Sequence, residues 1–267
     1  VRGVGDTSDI VEKEMFGVSR VGTRLASNSA DSTEIDELVL RPEPTAGIVR
    51  AYIEHGLHTW PQPVKLFLIG SMFRYDRPQK GRYRQFSQFD AEVLGDAEPL
   101  TDALVILLLW QIFQDLGLAN AIVVELNSIG DVACRPKIRK ALVAYYKPHT
   151  SKLCADCARR LTTNPLRLLD CKHDQCQPLK KGAPAIIDNL CPECRSHFMT
   201  VLEYLDGAGI RYDLNPFLVR GLDYYTHTVF EVRAKGLGAQ DAVAAGGRYD
   251  HLIEELGGPP LGAMGFA

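Results

Sequence analysis

No stretch of this sequence is long and apolar enough to cross a membrane. The richest run, Ala103 to Trp110, is too short for a bilayer and passes into Gln111 and Asp115. No secretory signal begins at Val1. An excess of basic charge is missing too. Thirty Lys and Arg residues face 33 Asp and Glu, for a formal charge of −3. No global field therefore draws the chain to nucleic acid, and any such contact must come from local patches or from parts outside this sequence. There is no internal repeat. What remains is an ordinary globular composition: 267 residues, 46% apolar and 24% charged. That suffices for one large domain, or for a core with an insertion.

One stretch organises the rest, Phe73 to Glu92. An apolar run from Val64 to Gly70 has the length of a buried strand. It leads into a basic loop punctuated by Pro78 and Gly81, and a second strand spans Gln85 to Leu94. Two-residue periodicity places Phe86, Gln88, Asp90 and Glu92 on one face of that strand. Phe89, Ala91 and Val93 take the other. A polar strand face inside an apolar protein is either wet or a binding site. Arg74, Arg77, Lys80, Arg82 and Arg84 lie close by, and guanidinium forks match phosphate and carboxylate oxygens. The plain alternative is a solvated hairpin with a charged tip.

Upstream, Val1–Phe16 pairs glycines with a charged helical run, and the polar segment Gly17–Asp36 reads as a surface loop. A short strand, Leu38–Leu40, precedes Pro42-Glu-Pro-Thr45, which opens a helix with an apolar face at Ile48, Val49, Tyr52 and Ile53. Glu43 at that start either complements the helix dipole or binds a ligand. Pro99–Leu118 reads as a helix apolar nearly all round, hence well buried, and Ile122–Asn127 as a half-buried strand ended by Gly130. Strands are expected at Tyr212–Leu214, Leu218–Gly221 and Thr228–Val232. A glycine-rich strand-to-helix turn is expected at Ala244–Asp250, then a helix over His251–Leu256.

Residues 131–209 differ, with more charge, helical patterning and six of the seven cysteines between Cys154 and Cys194. Cys154/Cys157 and Cys191/Cys194 form two CxxC pairs, a spacing that suits one tetrahedral zinc. Cys171, His173 and Cys176 are alternative ligands. The competing reading is free thiols in a reducing cytoplasm, with disulfides least expected.

The Phe73–Glu92 stretch resembles motif 2 of class II aminoacyl-tRNA synthetases, and in detail that of the histidyl-tRNA synthetase family. Leu218 to Thr226 resembles that family's histidine-specific motif, and Leu40 to Thr45 its segment for the amino acid's ammonium group. The resemblance implies an α+β fold, a mainly antiparallel sheet flanked by helices. The core would be discontinuous, 1–130 and 210–267, with a helical, cysteine-rich insertion at 131–209 capping the tRNA acceptor stem. It further implies ligation of histidine to its tRNA through a histidyl-adenylate, with ATP and Mg2+, in a cytoplasmic homodimer.

By that resemblance Arg74 and Arg220 flank the α-phosphate, Arg82 and Arg84 reach the outer phosphates, and Phe86 stacks beneath adenine or else simply packs. Glu43, Thr45 and Gln88 receive the ammonium. Glu92 and Tyr225 take the imidazole nitrogens, one donor and one acceptor in the neutral ring. Tyr224 lines the pocket, and Arg248 and Tyr249 close it. Arg135, Lys137, Arg139, Lys140, Lys147, Lys152, Arg159 and Arg160 are either phosphate contacts for tRNA or a solvated helix surface. Pro44 departs from the glycine usual in the family. Motif 1 is expected before Val1, and the end of motif 3, with its adenine-covering arginine, after Ala267. A regulatory subunit of ATP phosphoribosyltransferase and an inactive tRNA-sensing module share this core and are the rival readings. The intact run Arg220, Asp223, Tyr224, Tyr225 argues against the first.

Overall fold

The structure, a computed structural model, describes residues 14–18, 38–76, 78, 81–234 and 242–267. Most of Val1–Phe16 and of Gly17–Asp36, together with Arg77 and Lys80, lies outside the described residues. Within the expected surface loop, Gly17–Val18 (β1) pairs antiparallel with Leu38–Val39 (β2).

Helix Thr45–Glu54 (α1) follows, then Val64–Phe73 (β3) and Gln85–Leu94 (β4). The two strands pair antiparallel along their whole length, from Val64 opposite Leu94 to Phe73 opposite Gln85. Next come helix Pro99–Asp115 (α2) and strand Ile122–Ser128 (β5). Helices Arg135–Tyr146 (α3), Ala155–Thr163 (α4), Gln177–Lys181 (α5) and Pro192–Gly207 (α6) then run without an intervening strand among the described residues. The chain returns as Tyr212–Leu214 (β6), Thr226–Ala234 (β7), Ala242–Arg248 (β8), helix Leu252–Glu255 (α7) and Ala263–Phe266 (β9). Seven strands form one sheet in the order β3-β4-β9-β8-β7-β5-β6, antiparallel except for the β5–β6 pair. This is the mainly antiparallel α+β architecture.

Two expectations need correction. Leu218–Gly221 is not a strand. Leu218 and Val219 are buried, but side chains satisfy the backbone: Asn127 Nδ2 donates to the Leu218 carbonyl at 2.9 Å and Arg167 Nη1 to the Arg220 carbonyl at 3.0 Å. An apolar run has strand-like composition whether its backbone meets another strand or an amide side chain. Nor is α2 buried all round, since Leu100, Leu104 and Leu108 recur at helical spacing on an exposed stripe.

The interior has two apolar clusters. One joins Ile106 and Leu109 of α2 to Phe198, Val201 and Leu205 of α6 over Phe230, Met264 and Phe266 of the sheet. The other runs from Val49 and Tyr52 of α1 and Leu252 of α7 into Ile138, Leu142 and Tyr146 of α3 and on to Leu168 and Leu169. Helices α3 and α6 thus share these interiors with the rest of the chain.

Candidate active site

The floor of the site is the polar face of β4. Glu92 is buried, with its carboxylate against Gly265 of the neighbouring β9, where any Cβ would collide with it. Thr45 donates its hydroxyl to Glu92 Oε1 at 2.7 Å, and Tyr249 donates to Oε2 at 2.6 Å. Burial pushes this carboxyl up to about 8, against the pull of the two hydroxyls and with the help of the Asp90 and Glu43 charges. Asp90 is also fully buried, and burial followed by the charge of Glu43 raises it to about 7. Both Asp90 oxygens and Gln88 Oε1 lack a hydrogen-bond partner among the described residues. A buried acceptor left unpaired costs free energy, so these three, at alternate positions of β4, mark where a donor belongs.

Glu43 forms one side of that spot. Its carboxylate accepts the first N–H groups of α1, from Thr45 at 2.8 Å and Ala46 at 3.3 Å. Burial still raises its pKa, because desolvation outweighs these bonds. Pro44, which has no N–H to give, occupies the helix cap, and its carbonyl accepts from Ile48 N at 2.9 Å. Proline there costs α1 no hydrogen bond.

Two arginines rise from this floor. Arg74, at the end of β3, donates Nε to the Pro42 carbonyl at 2.8 Å, and its guanidinium lies 5.2 Å from the Phe86 ring centre. Burial lowers its pKa. Glu14 and Glu43 oppose that, while the positive charge of Arg220 adds to it, so the two guanidiniums lie within electrostatic reach of each other. Arg220 donates to Glu231 Oε1 at 2.5 Å and sits 5.8 Å from the Tyr225 ring centre. Burial works against its charge, but Tyr225 and Glu231 outweigh it and raise the pKa. Tyr224 and Tyr225 are buried with ring centres 4.7 Å apart, and Tyr224 meets Tyr249 edge-on at 5.6 Å. Strand β4, the end of β3, one helix start and one irregular segment thus bring Arg74, Arg220, Glu43, Thr45, Glu92, Tyr224 and Tyr225 together, with Gln88 at an alternate position of the strand that carries Glu92.

The family model described as histidyl-tRNA synthetase matches residues 19–267. The histidine–tRNA ligase of Desulforudis audaxviator is 54% identical over 266 residues, and that of Desulforamulus reducens 51%. Each alignment covers all of this chain and 60% of the relative. The chain belongs to the histidyl-tRNA synthetase family. A solved S. aureus histidyl-tRNA synthetase superposes with a TM-score of 0.71 at 38% identity, covering 94% of this chain and 57% of that one. A Bacillus halodurans structure described as an ATP phosphoribosyltransferase regulatory subunit/histidyl-tRNA synthetase gives 0.64 at 23%, a likeness of fold alone. The chain spans about 60% of the length of the curated relatives it matches.

Within this synthetase framework some expected residues stand elsewhere. Arg82 pairs with Asp76 at 2.6 Å, and Arg84 lies over the Tyr75 ring at 4.3 Å, both in the hairpin loop. Arg248 does not close the pocket. It is fully buried and donates to Asp102, Asp250 and the carbonyls of Asp96 and Glu98, locking β8 to the start of α2. Arg135 is also spent internally, on the backbone carbonyls of Asp223 and Tyr225. The two CxxC pairs do not meet: Cys154 and Cys157 converge with Cys171 and Cys176, whereas Cys191 and Cys194 converge with Cys134 and Asp131. Folding brings each pair a nearer partner than the other pair, which linear spacing cannot show.

Sequence reasoning missed Asp90, although its register on the Gln88–Glu92 face was the available signal. It also missed Asn164 and Arg167, and it assigned Arg135 to tRNA phosphates or to solvent. These three hold the Arg220–Tyr225 segment from the insertion side, Asn164 by a 2.8 Å bond to Asp223 Oδ1. Nothing in their spacing signals that.

Proposed function

We propose that this chain carries the active site that ligates histidine to its tRNA. The single observation behind the reading is that Arg74 and Arg220 lie within electrostatic reach of each other, near buried acceptors that lack donors among the described residues. In the first step a carboxylate oxygen of histidine attacks the α-phosphorus of ATP. The bond from that phosphorus to the bridging oxygen breaks, and pyrophosphate leaves with the electron pair. The attacking carboxylate is already ionised, so no base is needed. The demand is to hold two anions together and to neutralise the charge that builds on phosphorus. Two guanidinium forks on either side meet that demand better than point charges would. Arg82 and Arg84 would swing from Asp76 and Tyr75 to reach the outer phosphates, whose charge a bound Mg2+ would help to neutralise, and adenine would stack on Phe86.

The ammonium group takes the place prepared by Glu43, Gln88 and Asp90, with Thr45 beside it. The imidazole engages Glu92 and Tyr225, with Tyr224 as the wall, and takes over bonds that Thr45 and Tyr249 now make to Glu92. A side chain unable to hydrogen-bond would leave those groups unpaired, which is a strong basis for rejection. In the second step a 3′-terminal hydroxyl of tRNA takes the histidyl group and AMP departs. Residues 131–209 form the insertion domain over the acceptor stem, with exposed Lys137, Lys140, Lys147 and Lys152 toward its phosphates. Any zinc belongs to that insertion and not to the reacting phosphorus. The protein works as a cytoplasmic homodimer.

The test is histidine-dependent ATP–pyrophosphate exchange by the full-length protein. Exchange is expected with histidine and not with other amino acids. Arg220→Ala should lower it by about 10²–10³-fold, the scale of one lost transition-state donor, with the unfolding midpoint checked alongside. A well-folded protein with no exchange would favour the regulatory-subunit reading, which needs no adenylate.

A further inference from the structure

We propose that the seven cysteines and Asp131 form two separate zinc sites, one of four thiolates and one of three thiolates and a carboxylate. The ligand atoms of Cys154, Cys157, Cys171 and Cys176 lie within 4.8 Å of one another, as do those of Asp131, Cys134, Cys191 and Cys194. No cysteine of the chain is left over. All seven are free thiols, so the convergence does not come from disulfides. Cys154 Sγ and Cys171 Sγ are 3.8 Å apart, far beyond a bonded S–S distance of about 2.05 Å. Four sulfurs at about 2.3 Å from one tetrahedral ion stand roughly 3.8 Å from each other. Ligands this close suit a single ion and leave no room for an iron–sulfur cluster. Thiolate-rich tetrahedral sets favour zinc.

The local backbone points the same way, twice. Cys154 and Cys191 each cap a helix, with φ, ψ of −68°, 162° and −70°, 165°. In each case the sulfur accepts the N–H of the cysteine three residues on, at 3.4 Å. Cys176 Sγ accepts from Cys154 N at 3.3 Å, and Cys134 Sγ from Cys191 N at 3.0 Å. Backbone donors aimed at sulfur stabilise a thiolate, the form that binds metal. The carboxylate of Asp131 is held by Ala133 N and Cys134 N through Oδ1. Gly130, at a φ of +66°, lets the chain pass against Cys134, where a Cβ would come within 2.7 Å.

The placement gives the sites a role. The carboxylate site ties the exit of β5 to the start of α6, the last helix of the helical segment. The four-thiolate site brackets the stretch from Asn164 to Arg167. Arg135, next to Cys134, and Asn164 and Arg167 are the side chains that hold Arg220, Asp223 and Tyr225. The metals act as staples, through these residues, on the segment that lines the proposed histidine pocket.

Metal analysis of the full-length protein, purified without chelator, should give two zinc ions per chain. Cys176→Ser and Cys194→Ser should each retain one, and the double variant none. Replacement of zinc by Co2+ in the unaltered protein gives an independent reading that needs no variant: thiolate-to-metal charge-transfer intensity that totals seven cobalt–sulfur bonds over two cobalt ions. A single equivalent in the unaltered protein, abolished by either single variant, would mean one shared site and overturn the proposal, as would iron in place of zinc or less than one equivalent in the unaltered protein.

Discussion

Glu92 shows how a single residue pays in stability for a binding role. Its carboxyl is buried and titrates near 8, whereas an ordinary glutamate does so near 4.5. Between those values the folded state keeps a proton that the unfolded state has shed, so stability is complete below about 4.5 and falls as pH rises toward 8. Glu92→Gln should flatten this fall, read as a smaller loss of urea midpoint between pH 5 and 8, while histidine-dependent exchange collapses. A slope equal to that of the unaltered protein would mean that the carboxyl does not carry the proton assigned to it. Asp90 contributes in the same direction, raised to about 7, and its oxygens lack partners among the described residues. Asp90→Asn should therefore stabilise the fold, yet raise the KM for histidine roughly 30-fold, as expected from losing ~2 kcal/mol in one buried charged hydrogen bond. Stabilisation with KM unchanged would remove Asp90 from the ammonium site. Alternation along β4 was enough to place Asp90 on the right face. It was not enough to assign Arg248, whose partner Asp102 is 146 residues away in the chain.

At the scale of elements, strand length and register were legible where periodicity was strong. The β3–β4 hairpin falls where alternation predicts it, with Gln85–Leu94 matched at both ends. Legibility failed where side chains replaced backbone pairing, as at Leu218–Gly221. Of the glycine-rich stretch expected as a strand-to-helix turn, the part up to Arg248 belongs to strand β8, which runs close against other groups. At Gly246 a Cβ would meet the Gly265 carbonyl at 2.2 Å, and at Gly247 it would meet the Tyr225 ring at 2.7 Å. Gly247→Ala should thus push Tyr225 out of place, raise the KM for histidine and destabilise by about 1–3 kcal/mol, the usual scale of overpacking. The thermal midpoint and exchange kinetics test this together. A lower midpoint with KM unaltered would show that β8 yields and Tyr225 does not.

For the molecule as a whole, the outer face of the sheet bears on assembly. Phe67 and Ile69 on β3 are 72% and 69% exposed, and Phe89, across from Ile69, is 40% exposed. They lie on the face that α2 covers further along, where Ala91 and Val93 pack against its cluster. Alternation identified this face as apolar but could not say that it is uncovered, because coverage depends on what packs there rather than on the strand's own residues. Large apolar side chains grouped on a regular strand face favour a partner surface over open water. The homodimer proposed for this family member would supply it. Phe67→Asp combined with Ile69→Asp should then convert the full-length protein from dimer to monomer in sedimentation equilibrium. Secondary structure should be retained, since neither side chain enters the interior. A variant that remains dimeric would place the interface elsewhere and leave this face to another part of the full-length chain.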